Sequence, residues 1–323
     1  MAMRFGVFVP QGWRMDLTEI ADPEEKYETM TQVARLVDAT PQYDSVWLYD
    51  HFHTIPTAEP ESVFEAWTTT AALSRDTKRV NIGQMVTCNG YRSPALLAKM
   101  ASTVDTLSHG RLYCGLGAGW YEHEWLAYGY GFPETRQRMR SFREACAVMM
   151  KMWTEEAPEF SGEYYQIDKP INEPRGVRKP HPSFWIGGDG EQVTLKLVAQ
   201  YADACNFAGD QDFMRHKYDV LRRHCETLGR DYESITRSTI MHVYPIAPGA
   251  DAQRAREQLE ATYSERARKL LSETLVGDPD AIARVIDERA AVGANYFIFY
   301  IPRIAYEREP YQRLTDLLAA RYV

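Results

Sequence analysis

The sequence predicts an α/β fold: a (β/α)8 TIM barrel forming one domain over residues 1–323, with an insertion after the fourth strand. Three observations predict it. Eight short apolar runs alternate with helical patterns, as parallel strands joined by crossover helices do. Polar and glycine-rich residues cluster just past the ends of those runs, where a barrel gathers its loops at one mouth. The 323 residues, 45% hydrophobic and 25% charged, supply one large core, and no Gly-, Pro- or Ser-rich linker divides them. A doubly wound open sheet is the competing arrangement.

In chain order, the first strand is Arg4–Val9 and ends at Pro10. The second, Ser45–Tyr49, ends at Asp50-His51. The third, Arg79–Val86, ends in Thr87-Cys88-Asn89, and the fourth is Arg111–Gly117. Ser93-Pro94 starts the helix between them, Leu97, Met100, Ala101, Val104 and Leu107 give it an apolar stripe, and Gly110 stops it. Met139, Phe142, Cys146, Met149 and Trp153 form the stripe of the next helix. The region Glu155 to Pro182, rich in Pro and Tyr, then breaks the rhythm and is expected near the barrel mouth. Ser183–Gly188, Ala204–Gly209, Thr236–Ile246 and Ala294–Ile301 complete the eight. Asp278-Pro279 opens the helix before the last strand, and Gly293 closes it.

Composition narrows the function. A net charge of −8 carries no nucleic-acid footprint. No apolar run reaches the ~18 residues of a membrane span, and the N-terminus lacks a signal-peptide layout. Five cysteines, scattered and in no CxxC pair, favour reduced thiols. A cytoplasmic protein with a small-molecule substrate is expected, with no nucleic-acid or membrane partner.

The strand ends carry the chemistry. His51 and His53 form an HxH pair, but later strand ends offer no matching ligands, so no metal site closes. There is no GxSxG nucleophile motif, and Cys88 reads as a small buried thiol. The stretch "CGLGAGWYEHE" fails as a dinucleotide loop because Trp120 stands where the third glycine belongs. "GGDGEQVTLK" fits an anion better: a glycine turn, Gly187, Gly188, Asp189 and Gly190, feeds a helix N-terminus that carries partial positive charge.

Four stretches together resemble the luciferase-like barrel superfamily, in its branch using the deazaflavin coenzyme F420: "SVWLYDHFHT", "GQMVTCNGYRSPALLAKMASTVDTLSHGRL", "GLGAGWYEHEWLAYGYGFP" and "FWIGGDGEQVTLKLVAQYADACN". The resemblance implies a deazaflavin ring at the carboxyl end of the barrel, against a non-prolyl cis peptide matching Met85–Val86 and continuing through Thr87 and Cys88. Asp50 and His51 match the family's ring-edge and active-site pair. Gly117, Ala118, Gly119 and Trp120 match the segment beside the ring, where small residues let it approach the backbone. Gly187–Gly190 match the phosphate side. The family's dehydrogenases of alcohols and sugar phosphates place a glutamate directly after the glycine matching Gly119; here that residue is Trp120, so the proton-donor role does not transfer.

The resulting expectation is an oxidoreductase passing hydride between F420 and a small organic substrate. His51 is the acid/base candidate because imidazole titrates near neutrality, with Glu122 a second candidate. Trp13, Trp120 and Tyr165 are expected to line the substrate pocket, with Gln11, Phe160 and Tyr164 beside them. An FMN-dependent monooxygenase with the same fold is the alternative, and a metal-dependent barrel hydrolase a more distant one. Family habit implies a homodimer.

Overall fold

The computed structural model describes residues 3–322. Twelve strands occur in it: β1 Arg4–Phe8, β2 Ser45–Leu48, β3 Asn81–Gln84, β4 Thr87–Cys88, β5 Leu112–Gly117, β6 Glu159–Ser161, β7 Gln166–Asp168, β8 Ser183–Gly187, β9 Ala204–Asn206, β10 Thr236–Pro245, β11 Leu275–Gly277 and β12 Tyr296–Tyr300. Eight of them close a parallel barrel in the order β1, β2, β3, β5, β8, β9, β10, β12, with β12 pairing back onto β1. These are the eight apolar runs of the sequence. Closure of the ring removes the open-sheet alternative, which needs two free edges.

Alternate residues of each strand sort into two cores. Phe5, Val46, Ile82, Leu116, Phe184 and Phe297 point outward and pack under the helices. Phe8, Trp47, Tyr113, Trp185, Tyr296 and Ile298 fill the interior. Trp47 and Trp185 meet with ring centroids 4.8 Å apart, and Trp185 lies 5.1 Å from Tyr296. The inward glycines make room for this plug: a Cβ at Gly6 or Gly83 would fall 2.5 Å from a Trp47 ring atom. Its polar atoms are matched internally. Trp47 Nε1 donates to Ser45 Oγ, Trp185 Nε1 to Ser183 Oγ, and the Tyr113 and Tyr296 hydroxyls both donate to Asp44.

Two departures from the sequence reading matter for the mouth. The third run stops at Gln84, the Met85–Val86 peptide that follows is cis, and pairing resumes in β4, where Thr87 and Cys88 lie against Leu116 and Gly117. Residues 155–182 lie along the outside of the barrel and reach the rim of the mouth only at Tyr165, whose hydroxyl accepts from Asn89 Nδ2. The helix Thr135–Thr154 returns from the mouth to the opposite end of the barrel, as a parallel crossover must, so the insertion starts there. Its β6–β7 hairpin climbs the outside: the amides of Glu163, Tyr164 and Tyr165 donate to the Glu144 carboxylate at 2.8–3.0 Å. Asn172 Nδ2 bonds Ser102 Oγ and the Met152 carbonyl, each at 3.0 Å, fixing the segment over the helices Pro94–Leu107 and Thr135–Thr154.

Among the described residues, no helix is long and apolar enough to cross a membrane, no three metal-ligating side chains converge, and all five cysteines are free and buried.

Candidate active site

The carboxyl ends of the strands enclose a cleft with two lobes that share Met85, Val86, Gly119 and Trp120. The larger lobe, about 600 Å³, runs from that shared wall over Gly117 and Ala118 to the turn of Gly187, Gly188, Asp189 and Gly190. The smaller, about 150 Å³, is walled by Trp13, Tyr49, His51, Thr87, Cys88 and Tyr121 among others. Asn206, Ile240, Thr135 and Met139 also line the larger lobe.

The glycines around the wall have a local cause. A Cβ at Gly117 would lie 2.6 Å from Val86 Cγ2, and one at Gly187 2.9 Å from Val86 Cγ1. Gly119, with φ +80, would place a Cβ 2.5 Å from Cys88 Sγ and 2.8 Å from Trp125. Space beside these backbones is therefore filled by Val86, Cys88 and Trp125. The reading that small residues leave room for a ring to approach is corrected: they seat the Met85–Val86 wall, and the open lobe lies beyond it. In the far turn a Cβ at Gly190 would lie 2.9 Å from Thr194 Oγ1, and Gly188 alone of its three glycines would meet nothing closer than 3.4 Å. Gly188 has φ +120, and the helix Thr194–Tyr201 that follows has no side-chain cap. Of its first-turn amides Leu195 N is held by the Gly190 carbonyl, and those of Thr194 and Lys196 are left, among the described residues, to suit an anion.

In the smaller lobe the central feature is a histidine held by a buried carboxylate. His51 Nδ1 lies 2.8 Å from Glu124 Oε2, and the imidazole stacks on Trp13 with centroids 4.2 Å apart and planes 3° from parallel. Glu124 also accepts from the Phe52 and His53 amides at 2.7 and 2.9 Å and from the Tyr91 hydroxyl at 2.8 Å. Burial pushes its carboxyl up, but the His51 hydrogen bond and charge, with the two amides, outweigh it and hold the group below its ordinary range. An ionised carboxylate only accepts, so Nδ1 carries the proton and Nε2 is left to exchange one. Nε2 has no partner among the described residues.

The other expected residues divide. Asp50 borders the smaller lobe, but its carboxylate is committed: Arg92 clamps it at 2.7 and 2.9 Å, and the Cys88 amide donates at 2.8 Å. Thr87 turns its hydroxyl to Trp67 Nε1, and burial raises the Cys88 thiol to about 12, keeping it protonated. Trp120 stands exposed over both lobes.

Glu122 is exposed and lines neither lobe; on the same short helix, Glu124 is the carboxylate turned inward. Tyr165 also lies outside the cleft, packed on the outer core and bonded at its hydroxyl by Asn89 Nδ2 at 3.3 Å. Phe160 and Tyr164 share that fate because the insertion is elsewhere. Gln11 is buried and structural, tying Tyr49 to Phe64.

Sequence reasoning missed Glu124 and Arg92. Nothing local separates Glu124 from Glu122; what selects it is the pair of amides in the β2 loop, distant in sequence. Two further polar atoms on the cleft wall, Trp13 Nε1 and Tyr49 Oη, are buried without a partner.

This architecture has known counterparts. The sequence model of the luciferase-like monooxygenase family matches residues 3–294. The chain belongs to that family. An F420-dependent glucose-6-phosphate dehydrogenase of Kineococcus radiotolerans is 31% identical over 76% of this chain and 71% of its own length. Among solved structures, an F420-dependent secondary alcohol dehydrogenase bound to an F420-acetone adduct superposes with a TM-score of 0.79 at 19% identity, covering 98% of this chain and 99% of that one. The monooxygenase RslO1 of Streptomyces bottropensis does so with 0.80 at 20%, covering 99% and 100%. Both structures share the fold.

Proposed function

We propose that this protein is an F420-dependent oxidoreductase that moves a hydride between the deazaflavin and a small organic substrate. The observation that carries the reading is the two-lobed cleft, with an anion-suited helix start at one end and a carboxylate-oriented histidine at the other. The residues fit the group. The Gly187–Gly190 turn and the start of the helix Thr194–Tyr201 would hold its phosphate, and Met85, Val86 and Gly119 would back its ring. The F420-dependent enzyme of Kineococcus radiotolerans, similar over most of both chains, supports the choice of cofactor. When bound, F420 supplies a carbon that accepts or releases hydride.

The chain's own groups do the rest. Glu124 fixes the His51 tautomer, as an orienting carboxylate does for a catalytic imidazole. His51 Nε2 takes the proton of a substrate hydroxyl being oxidised, or gives one to a carbonyl being reduced. Trp13 holds the imidazole plane, and Trp120 covers the cleft from solvent. The Asp50–Arg92 pair anchors the Cys88 amide and so the strand segment beneath the ring.

Titration of the purified protein with F420 and with FMN, followed by absorbance and intrinsic fluorescence, tests this. F420 should bind and FMN bind weakly. Tight FMN binding without F420 affinity would replace the reading with the flavin monooxygenase alternative.

A further inference from the structure

A third cavity, of about 460 Å³, opens beside the mouth, between the loop after β9 (Ala208, Gly209) and β10. It meets the larger lobe at Ile240, which lines both. Its other walls are His242, Glu273, Leu275, Val285 and Arg289.

Arg289 is the unusual member. It is half-buried, and its Nη1 donates to the Ile240 carbonyl at 2.8 Å and to Thr239 Oγ1 at 3.2 Å. No carboxylate lies within ion-pair distance of it among the described residues. Burial lowers its pKa, outweighing the upward pull of Tyr218 and of the neighbouring Glu288. His242 projects into the barrel interior on the same strand, with its ring 5.3 Å from Tyr300. Burial first, then the charges of Arg14 and Arg289, hold its pKa down at about 3, so the ring is neutral. Its Nδ1 is buried without a partner. An orphaned lone pair costs less than an orphaned N–H, so the proton sits on Nε2, which has no protein partner among the described residues. With Nη1 spent on Ile240 and Thr239, the cavity is left the Nε–Nη2 edge of the guanidinium, which has no partner among the described residues, and one imidazole N–H. Glu273 stands exposed at its edge and opposes a second negative charge.

We propose that this cavity is a substrate subsite that takes a single carboxylate group, paired with Arg289 and hydrogen-bonded by His242. Its junction with the larger lobe at Ile240 puts the opposite end of such a molecule in the main cleft. This names the substrate class for the reaction proposed above and rests on that reading for its catalytic meaning, but binding at the cavity does not depend on F420. A planar guanidinium pairs with a carboxylate through two parallel hydrogen bonds, and a neutral amide of the same shape loses the charge.

The test uses the full chain without cofactor, labelled at histidine ring carbons, with the His242 resonance assigned by His242→Asn. Benzoate is titrated against benzamide and inorganic phosphate at constant ionic strength. Benzoate should shift the His242 signal saturably, with benzamide at least about tenfold weaker, as loss of a charge-assisted hydrogen bond implies, and phosphate weaker because Glu273 opposes its second negative charge. Arg289→Gln should weaken benzoate by about 10- to 100-fold, and Glu273→Gln, at an exposed position, should tighten it by about two- to fivefold. Equal response to benzamide, stronger binding of phosphate, or no response to benzoate would overturn the proposal. So would a Glu273→Gln variant with unchanged affinity, a readout that holds if Arg289→Gln fails to fold. Failure of F420 to bind leaves these outcomes unaffected, so the two readings fail separately.

Discussion

The floor and the mouth of the barrel are built from the same residue types and treat them in opposite ways. At the floor, the indoles of Trp47 and Trp185 and the phenols of Tyr113 and Tyr296 all find partners inside the protein. At the mouth, Trp13 Nε1, Trp125 Nε1 and Tyr49 Oη are buried with none. Inward glycines at the floor accommodate Trp47, whereas those at the mouth accommodate Val86, Cys88 and Trp125. The floor is closed packing, and its contribution is stability. The mouth keeps unsatisfied groups and open volume, and leaves a histidine with one nitrogen held and one available. A stable scaffold can carry that cost because the plug and the outer core lie elsewhere.

Substitutions at the two ends should separate along this line. The largest effect is expected from His51→Ala: turnover with F420 should fall by about 10²–10⁴, with cofactor affinity little changed and the thermal midpoint lowered because the buried Glu124 carboxylate loses a partner. Comparable loss of affinity and turnover would move His51 from acid/base to cofactor binding. Trp47→Ala should cost about 3–5 kcal/mol in denaturant unfolding while the surviving folded fraction keeps the cofactor affinity of the parent. A selective loss of affinity would show that the floor shapes the mouth.

Gly117→Ala should cost about 1–3 kcal/mol and weaken F420, because its methyl group displaces Val86. Normal affinity would mean that the wall gives way without reaching the ring. Glu124→Gln belongs to both ends of the comparison, since the carboxylate is buried structure and also orients His51. Its folded pKa lies below the usual 4.5, so its stabilisation is fully present above that value and is lost as pH falls through the lower folded one. The parent should therefore lose stability on acidification below about pH 4.5 more steeply than Glu124→Gln. Parallel acid profiles would show that the carboxylate is not ionised in the folded state. The smallest effect is expected from Glu122→Gln, within about 0.5 kcal/mol and with unchanged turnover. A drop in turnover would return that carboxylate to the site.

Much of this was readable before the fold was known. The barrel strands announced themselves because parallel strands buried on both faces appear as continuous apolar runs; Asp50, His51, Cys88 and the Gly187–Gly190 turn came from the ends of those runs, and Met85 and Val86 from the family resemblance. β11 escaped notice because three residues pairing only with the end of β10 have no periodicity of their own. The insertion misled for a related reason. Aromatic, proline-rich composition says that a segment packs on something, and here that something is the outer face of two helices.

What the sequence determined by itself is the barrel and the strand ends that supply its mouth, since hydrophobic periodicity and helix signals are local properties of the chain. Only the tertiary structure decided which polar groups meet. Glu124 rather than Glu122 reaches His51 because amides from the loop after β2 gather round one carboxylate and leave the other in water. Asp50 is occupied because Arg92 arrives from beyond β4. Arg289 has no ion pair because, among the described residues, no carboxylate from another element comes within ion-pair distance. Such pairings depend on distances between segments far apart in the chain, and no residue spacing encodes them.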